Sequence, residues 1–127
     1  MISLGMTEPQ AGSAVTELQT AAVADGDDFI INGTKIFGTH SSEAKVFLVY
    51  VRFGPGLDGI GSVLIERGMP GFTVGQPTGF MNGEDWSQLY FDNVRIPASN
   101  VVLGTGGFRK QMAGFNVERL GNAARAV

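Results

Sequence analysis

Short apolar runs of strand length, rich in β-branched and aromatic residues, recur through the first hundred positions: Phe29-Ile30-Ile31, Lys45 to Val51, Ile60 to Ile65, Phe72-Thr73-Val74 and Leu89-Tyr90-Phe91. Runs of that length and composition predict β-strands. Ala24-Asp25-Gly26-Asp27-Asp28 divides an alternating run, Leu18 to Ala24, from the run opening at Phe29, which predicts a hairpin. Asn32-Gly33 is the dipeptide that a type I′ turn favours, so a second turn is expected there. Residues 15 to 103 are therefore expected to form an antiparallel β unit, a small barrel or sandwich. Beyond Gly107 the period changes: Phe108 to Val127 contains no proline and places apolar residues at helical spacing. On a helical wheel Phe108, Met112, Phe115, Ala123 and Ala126 form one stripe, and Ala113, Val117, Leu120, Ala124 and Val127 form another on a different side. Such a helix calls for neighbours on both sides, and one β unit covers only one. Either the chain is part of something larger or joins a partner, or the helix is tucked into a groove of its own domain.

Composition narrows the function. Nine Lys or Arg against twelve Asp or Glu give a net charge of −3 over 127 residues, with no basic cluster longer than Arg109-Lys110. That is no footprint for a phosphate backbone, so nucleic acid is not an expected partner. Apolar residues at 43% and charged residues at 17% describe a folding chain rather than a disordered one. The absence of cysteine excludes disulfides, thiol catalysis, Fe–S clusters and Cys-based zinc sites, and a single His leaves no transition-metal cluster. Any redox chemistry needs an organic cofactor. Met1 to Gly5 lacks a basic-then-apolar leader and no apolar run approaches the length of a membrane span, so a soluble, cytoplasmic protein is expected.

Four segments hold residues that can carry chemistry. Met6-Thr7-Glu8-Pro9-Gln10-Ala11-Gly12-Ser13 is a loop able to offer backbone N–H groups and two hydroxyls to an anion, or else a plain surface turn. In Lys35-Ile36-Phe37-Gly38-Thr39-His40, Phe37 and Thr39 stand two apart, on one face of an extended strand, as ordinary alternation also gives. Phe91 to Gly104 holds Pro97 and Gly104, which end a strand and turn the chain toward the helix. In Phe115-Asn116-Val117-Glu118-Arg119, Glu118 is the helix's one acid and Arg119 falls within an apolar stripe. A carboxylate in a crowded place has the raised pKa a general base requires. A surface carboxylate bonded to a neighbour is the other reading.

Taken in order, these segments resemble the acyl-CoA dehydrogenase family over essentially the whole chain. The resemblance rests on Met-Thr-Glu-Pro-x-Ala-Gly-Ser, on Ile31-x-Gly-x-Lys-x-Phe-x-Thr39, on the Phe91 to Gly104 segment, and on a Gly-Phe that opens a helix carrying Glu-Arg. It implies the family's middle β-barrel over residues 1–106 and the first helix of its C-terminal helical domain over 107–127. The fold class is thus mainly β, an antiparallel β-barrel with a C-terminal α-helix. It implies FAD as cofactor, an acyl-CoA thioester as substrate and α,β-dehydrogenation as reaction, a carboxylate taking the α-proton while hydride leaves for the flavin. By position, Met6 and Thr7 would meet the flavin's pyrimidine edge, and Gly12 and Ser13 the pyrophosphate and the thioester arm. Phe37 would stand beside the ring system where a Trp is common, and Thr39 near N5. Phe115, Asn116 and Arg119 would line the acyl-CoA channel, and Glu118 matches the base of the isovaleryl-CoA type. Ala14 departs from the family's usual Asp, and Leu4 and His40-Ser41-Ser42 also depart from the common pattern. The implied partners are further helical domains or a second copy. Two rival readings are a non-catalytic barrel module for binding or assembly, and a relative using FAD for oxidase or monooxygenase chemistry.

Overall fold

The computed structural model describes residues 1–125, apart from the side chains of Asn122 and Arg125. Nine strands run in chain order as β1 (Ile2–Gly5), β2 (Ala21–Asp25), β3 (Asp28–Thr39), β4 (Val46–Arg52), β5 (Ile60–Glu66), β6 (Phe72–Val74), β7 (Thr78–Gly79), β8 (Asp85–Pro97) and β9 (Val101–Leu103). One helix, α1 (Phe108–Arg125), follows. The strands hydrogen-bond in the order β6-β8-β3-β2-β4-β5-β9, with β1 beside β4 and β7 beside β8. The expected antiparallel barrel is met in part. Most pairings are antiparallel, but β1 runs parallel to β4 and β2 meets β4 parallel through Ala21 opposite Arg52, and β6 and β9 end the order unpaired with each other. The reason lies in the crossover from β3 to β4, which carries β4 past β2 and sets it in the same direction as β1 and β2. The mixed sheet is not closed by hydrogen bonds but folds over its own core: Phe47 of β4 meets Phe72 of β6 edge-on, ring centroids 4.8 Å apart, and Phe72 stacks on Phe91 of β8 at 5.1 Å.

Strand β4 is apolar at nearly every position, as a strand covered on both faces must be. Phe47, Val49 and Val51 enter the main core with Val63, Ile65, Leu89, Phe91, Val94 and Ile96. On the other face Tyr50 joins Leu18, Ile60 and Phe108 in a second core, against which Met112 and Phe115 of α1 pack. Phe108, Met112 and Phe115 of the first predicted stripe thus seat the helix, while Ala123 of that stripe is exposed. The second stays open among the described residues, with Val117 72% and Leu120 73% exposed. Ala126 and Val127 lie outside the described residues.

The Gly26 turn joins β2 to β3 as expected, with a left-handed φ of 64°. The turn expected at Asn32-Gly33 does not form, because both residues lie inside β3. Gly33 is required there for space: a Cβ would stand 2.5 Å from the Thr20 hydroxyl oxygen. Asn32 instead marks a β-bulge. Between Ile31↔Val94 and Gly33↔Phe91 the register slips by one residue on β8, where Asn93 takes a φ of 51°. A second slip falls between Lys35↔Leu89 and Gly38↔Ser87, this time on β3, at Phe37 with a φ of 56°.

Candidate functional site

The bulge at Phe37 builds the site in a way that simple alternation does not. An unbroken strand would put Lys35, Phe37 and Thr39 on one face. The extra residue lets Lys35 point into the interior while Phe37 and Thr39 point out. Phe37 rests its ring on Trp86, centroids 4.6 Å apart. Across from it comes the loop that follows β1, and Met6, Thr7, Phe37 and Thr39 together line a cavity of about 120 Å³. Four of the residues singled out in two separate segments are therefore neighbours.

Inside the loop lies a feature that the sequence reading passed over. Glu8 is 1% and Lys35 0% exposed, and they form an ion pair with Lys35 Nζ 2.7 Å from Glu8 Oε1. Lys35 Nζ also donates to the Met6 carbonyl at 3.1 Å. Glu8 Oε1 accepts the Thr20 N–H at 2.9 Å, and Oε2 accepts the Gln19 N–H and the Gln10 side-chain amide, each at 2.6 Å. The Ile36 N–H donates to the Thr7 carbonyl at 2.8 Å. Met6, Thr7 and Glu8 are each tied to β3 by these bonds. Burial works to raise the Glu8 pKa, but the bonds from Lys35, Thr20 and Gln19 outweigh it and hold the carboxyl below its ordinary value. Burial pulls the Lys35 ammonium down to about 8, with Glu8 resisting. The available signal was the spacing of Glu8 and Lys35 within the two motifs, but an acid in a loop and a lysine in a strand ordinarily read as solvated.

A second cavity, about 270 Å³, opens between β4 and α1 and is lined by Leu48, Tyr50, Gln111, Phe115 and Glu118. Leu4 of β1 borders both cavities. Glu118 borders this open cavity but is itself exposed, which corrects the expectation of a crowded carboxylate. Arg119 is likewise exposed and donates to Asn116 Oδ1 at 3.2 Å, one helical turn away. Gly12 and Ser13 are exposed and line neither cavity, and a Cβ on Gly12 would meet open space. His40 stands at the surface, its ring nitrogens 3.9 Å from Glu84 and Asp85 carboxylate oxygens.

A mostly-β unit with its helix laid over one edge of a two-part groove is the class these elements define. The family profile described as acyl-CoA dehydrogenase, middle domain, matches residues 3–94, and this chain belongs to the acyl-CoA dehydrogenase family. The cyclohex-1-ene-1-carbonyl-CoA dehydrogenase of Geobacter metallireducens is 38% identical over 132 aligned residues, which take in 100% of this chain and 35% of that protein. The acyl-CoA dehydrogenase of Bacillus subtilis is 35% identical over 130, taking in 98% and 34%. The solved butyryl-CoA dehydrogenase of Megasphaera elsdenii superposes with a TM-score of 0.78 at 34% identity, over 84% of this chain and 29% of that one. The chain thus spans about a third of the length of the curated relatives it matches. No helix among the described residues is long and apolar enough to cross a membrane.

Proposed function

We propose that this chain is the middle-domain portion of a flavin-dependent acyl-CoA dehydrogenase, acting on an acyl-CoA thioester and inactive without further helices. The observation that carries it is the paired groove: Met6, Thr7, Phe37 and Thr39 on one side of Leu4, and Phe115 with Glu118 on the other. The first half suits FAD. Its aromatic wall, Phe37 backed by Trp86, matches a planar ring, and the Thr7 and Thr39 hydroxyls match that ring's polar edge. When bound, FAD supplies the acceptor for the hydride that leaves the β-carbon. The chain's own residues do the rest. Met6 and Thr7 would hold the polar edge, Thr39 would bond near the reacting end, and Phe37 would keep water from one face. Gly12 and Ser13 would meet the pyrophosphate and the thioester arm. Phe115 walls the acyl group, Asn116 and Arg119 contact the substrate as it enters, and the Glu118 carboxylate takes the α-proton. The open stripe at Val117 and Leu120 is covered by helices of a longer protein or of a second copy.

Titrating the chain with FAD and following its visible absorbance tests the first half. Retention that weakens at least tenfold, or about 1.4 kcal/mol, in Thr7→Ala and Thr39→Ala supports these assignments. Retention unchanged by both substitutions overturns them. For the second half, the chain supplied with the family's helical segments is assayed for acyl-CoA-dependent bleaching of FAD. Glu118→Gln should slow it by roughly 10²–10⁴-fold, the usual contribution of a positioned base.

A further inference from the structure

Tyr50 lies on the helix-facing side of β4 with no exposed surface, its ring 6.4 Å from that of Phe108 and 6.0 Å from that of Phe115. Its hydroxyl is buried and has no hydrogen-bond partner. A phenylalanine would fill the same space without leaving a polar group unpaired, and an unpaired buried hydroxyl costs free energy. The hydroxyl therefore needs an acceptor that this arrangement does not supply. Gln111 borders the same cavity, but its Oε1 already accepts from Ser62 Oγ at 3.3 Å. Glu118 borders it too, on a side chain long enough to turn inward. Its charge reaches the phenol: burial first, and then Glu118, raise the Tyr50 pKa above the ordinary tyrosine range.

Tyr50 and Glu118 are the titratable groups lining this cavity. The charged groups nearest along the two elements are otherwise engaged. Arg52, two residues further along β4, donates to the carbonyls of Thr16, Leu18, Gly54 and Gly56, and Arg119 donates to Asn116. We infer that Tyr50 is a positioning residue for Glu118: its hydroxyl donates to the carboxylate when Glu118 turns across the cavity, leaving the second carboxylate oxygen directed at the bound acyl group. This rests on the reading of Glu118 as the base. A long, exposed side chain samples many rotamers, and one charge-assisted bond to a rigid, buried partner selects the rotamer that faces the cavity. The donor sits on a strand packed on both faces, so its position is set by the fold and not by the ligand.

The bond is tested on this chain by itself, with carboxyl-labelled glutamate followed by NMR across pH, the Glu118 signal being identified by its loss in Glu118→Gln. A donor to the charged form lowers a carboxyl's midpoint, so Tyr50→Phe should raise that of Glu118 by about half a pH unit or more. An unchanged midpoint overturns the proposal. Thermal melting gives a second reading in which Phe preserves the packing of the ring. The melting temperature should fall on Tyr50→Phe when Glu118 is present and should not fall in a Glu118→Ala background. A rise of the same size in both backgrounds means an idle hydroxyl, and the proposal fails. Neither measurement contains flavin or acyl-CoA, so this bond and the proposed cofactor site stand or fall separately.

Discussion

Lys35 holds its ammonium with no exposed surface, between the Glu8 carboxylate and the Met6 carbonyl. Removing one partner of a buried pair leaves the other's charge stranded, which typically costs about 3–5 kcal/mol. Lys35→Met should therefore lower the stability of the chain by that amount in urea unfolding. Adding Glu8→Gln to it should recover a large part, because the stranded charge is then gone. The same pair sets an acid limit. The Glu8 carboxyl is held below its ordinary value of 4.5 in the folded chain, so its contribution is present above that value and is lost as pH falls through the lower, folded one. Unfolding midpoints measured between neutrality and strong acid should decline in that window, and Glu8→Gln should flatten the decline. Since the pair binds Met6, Thr7 and Glu8 to β3, the acid transition should first release the Met6–Ser13 loop, visible as faster amide exchange at Thr20 and Gln19.

At the level of elements, β3 and β8 owe their shape to two bulges, and each bulge decides which side chains go inward. On β8 the buried positions run Ser87, Leu89, Phe91 and then Val94, Ile96. Without the extra residue the series would continue through Asn93 and Arg95, placing a guanidinium in the core. Asn93 tolerates its left-handed backbone and anchors it, donating its N–H to Asn32 Oδ1 at 2.8 Å and accepting from Asn32 Nδ2 at 3.2 Å. Asn93→Val combines a β-branched side chain with that backbone and loses the amide's bond, and should destabilise by at least the roughly 1–2 kcal/mol that left-handed strain costs; Asn93→Gly should cost less. Comparative thermal unfolding of the two variants checks this. The bulges also explain what the sequence reading missed. The apolar runs of β3, β4, β5, β6 and β8 declared themselves through composition, but Asn32-Gly33 carries the same local signal whether it turns a hairpin or faces a bulge. Only the partner strand, about sixty residues away in sequence at Asn93, decides between them. The Glu8–Lys35 pair was hidden for the same reason, since neither side chain looks buried until the loop after β1 is seen to lie against β3. The parallel pairing of β1 is set by contacts with β4, which no local pattern reports.

Over the whole molecule, the helix was the most legible element, because its two stripes are written in a single unbroken segment. Phe108, Met112 and Phe115 seat it on the second core, and Val117 and Leu120 stand outward as the wheel indicated. Leu120→Lys should leave the chain's own stability within about 0.5 kcal/mol in urea unfolding, as surface substitutions do, while reducing the activity recovered when helical segments are supplied. The sheet order has a consequence for how the molecule comes into being. β3 finds its long partner in β8, with Asp28 opposite Pro97, so the two longest strands of the fold are made far apart in time on the ribosome. Until β8 has emerged, β3 has only β2 hydrogen-bonded beside it, and its other edge is unpaired. Pairing over such a separation is slow to close. A nascent chain that stalls between β5 and β8 presents an open strand edge to its neighbours in the cell, where chaperones would meet it.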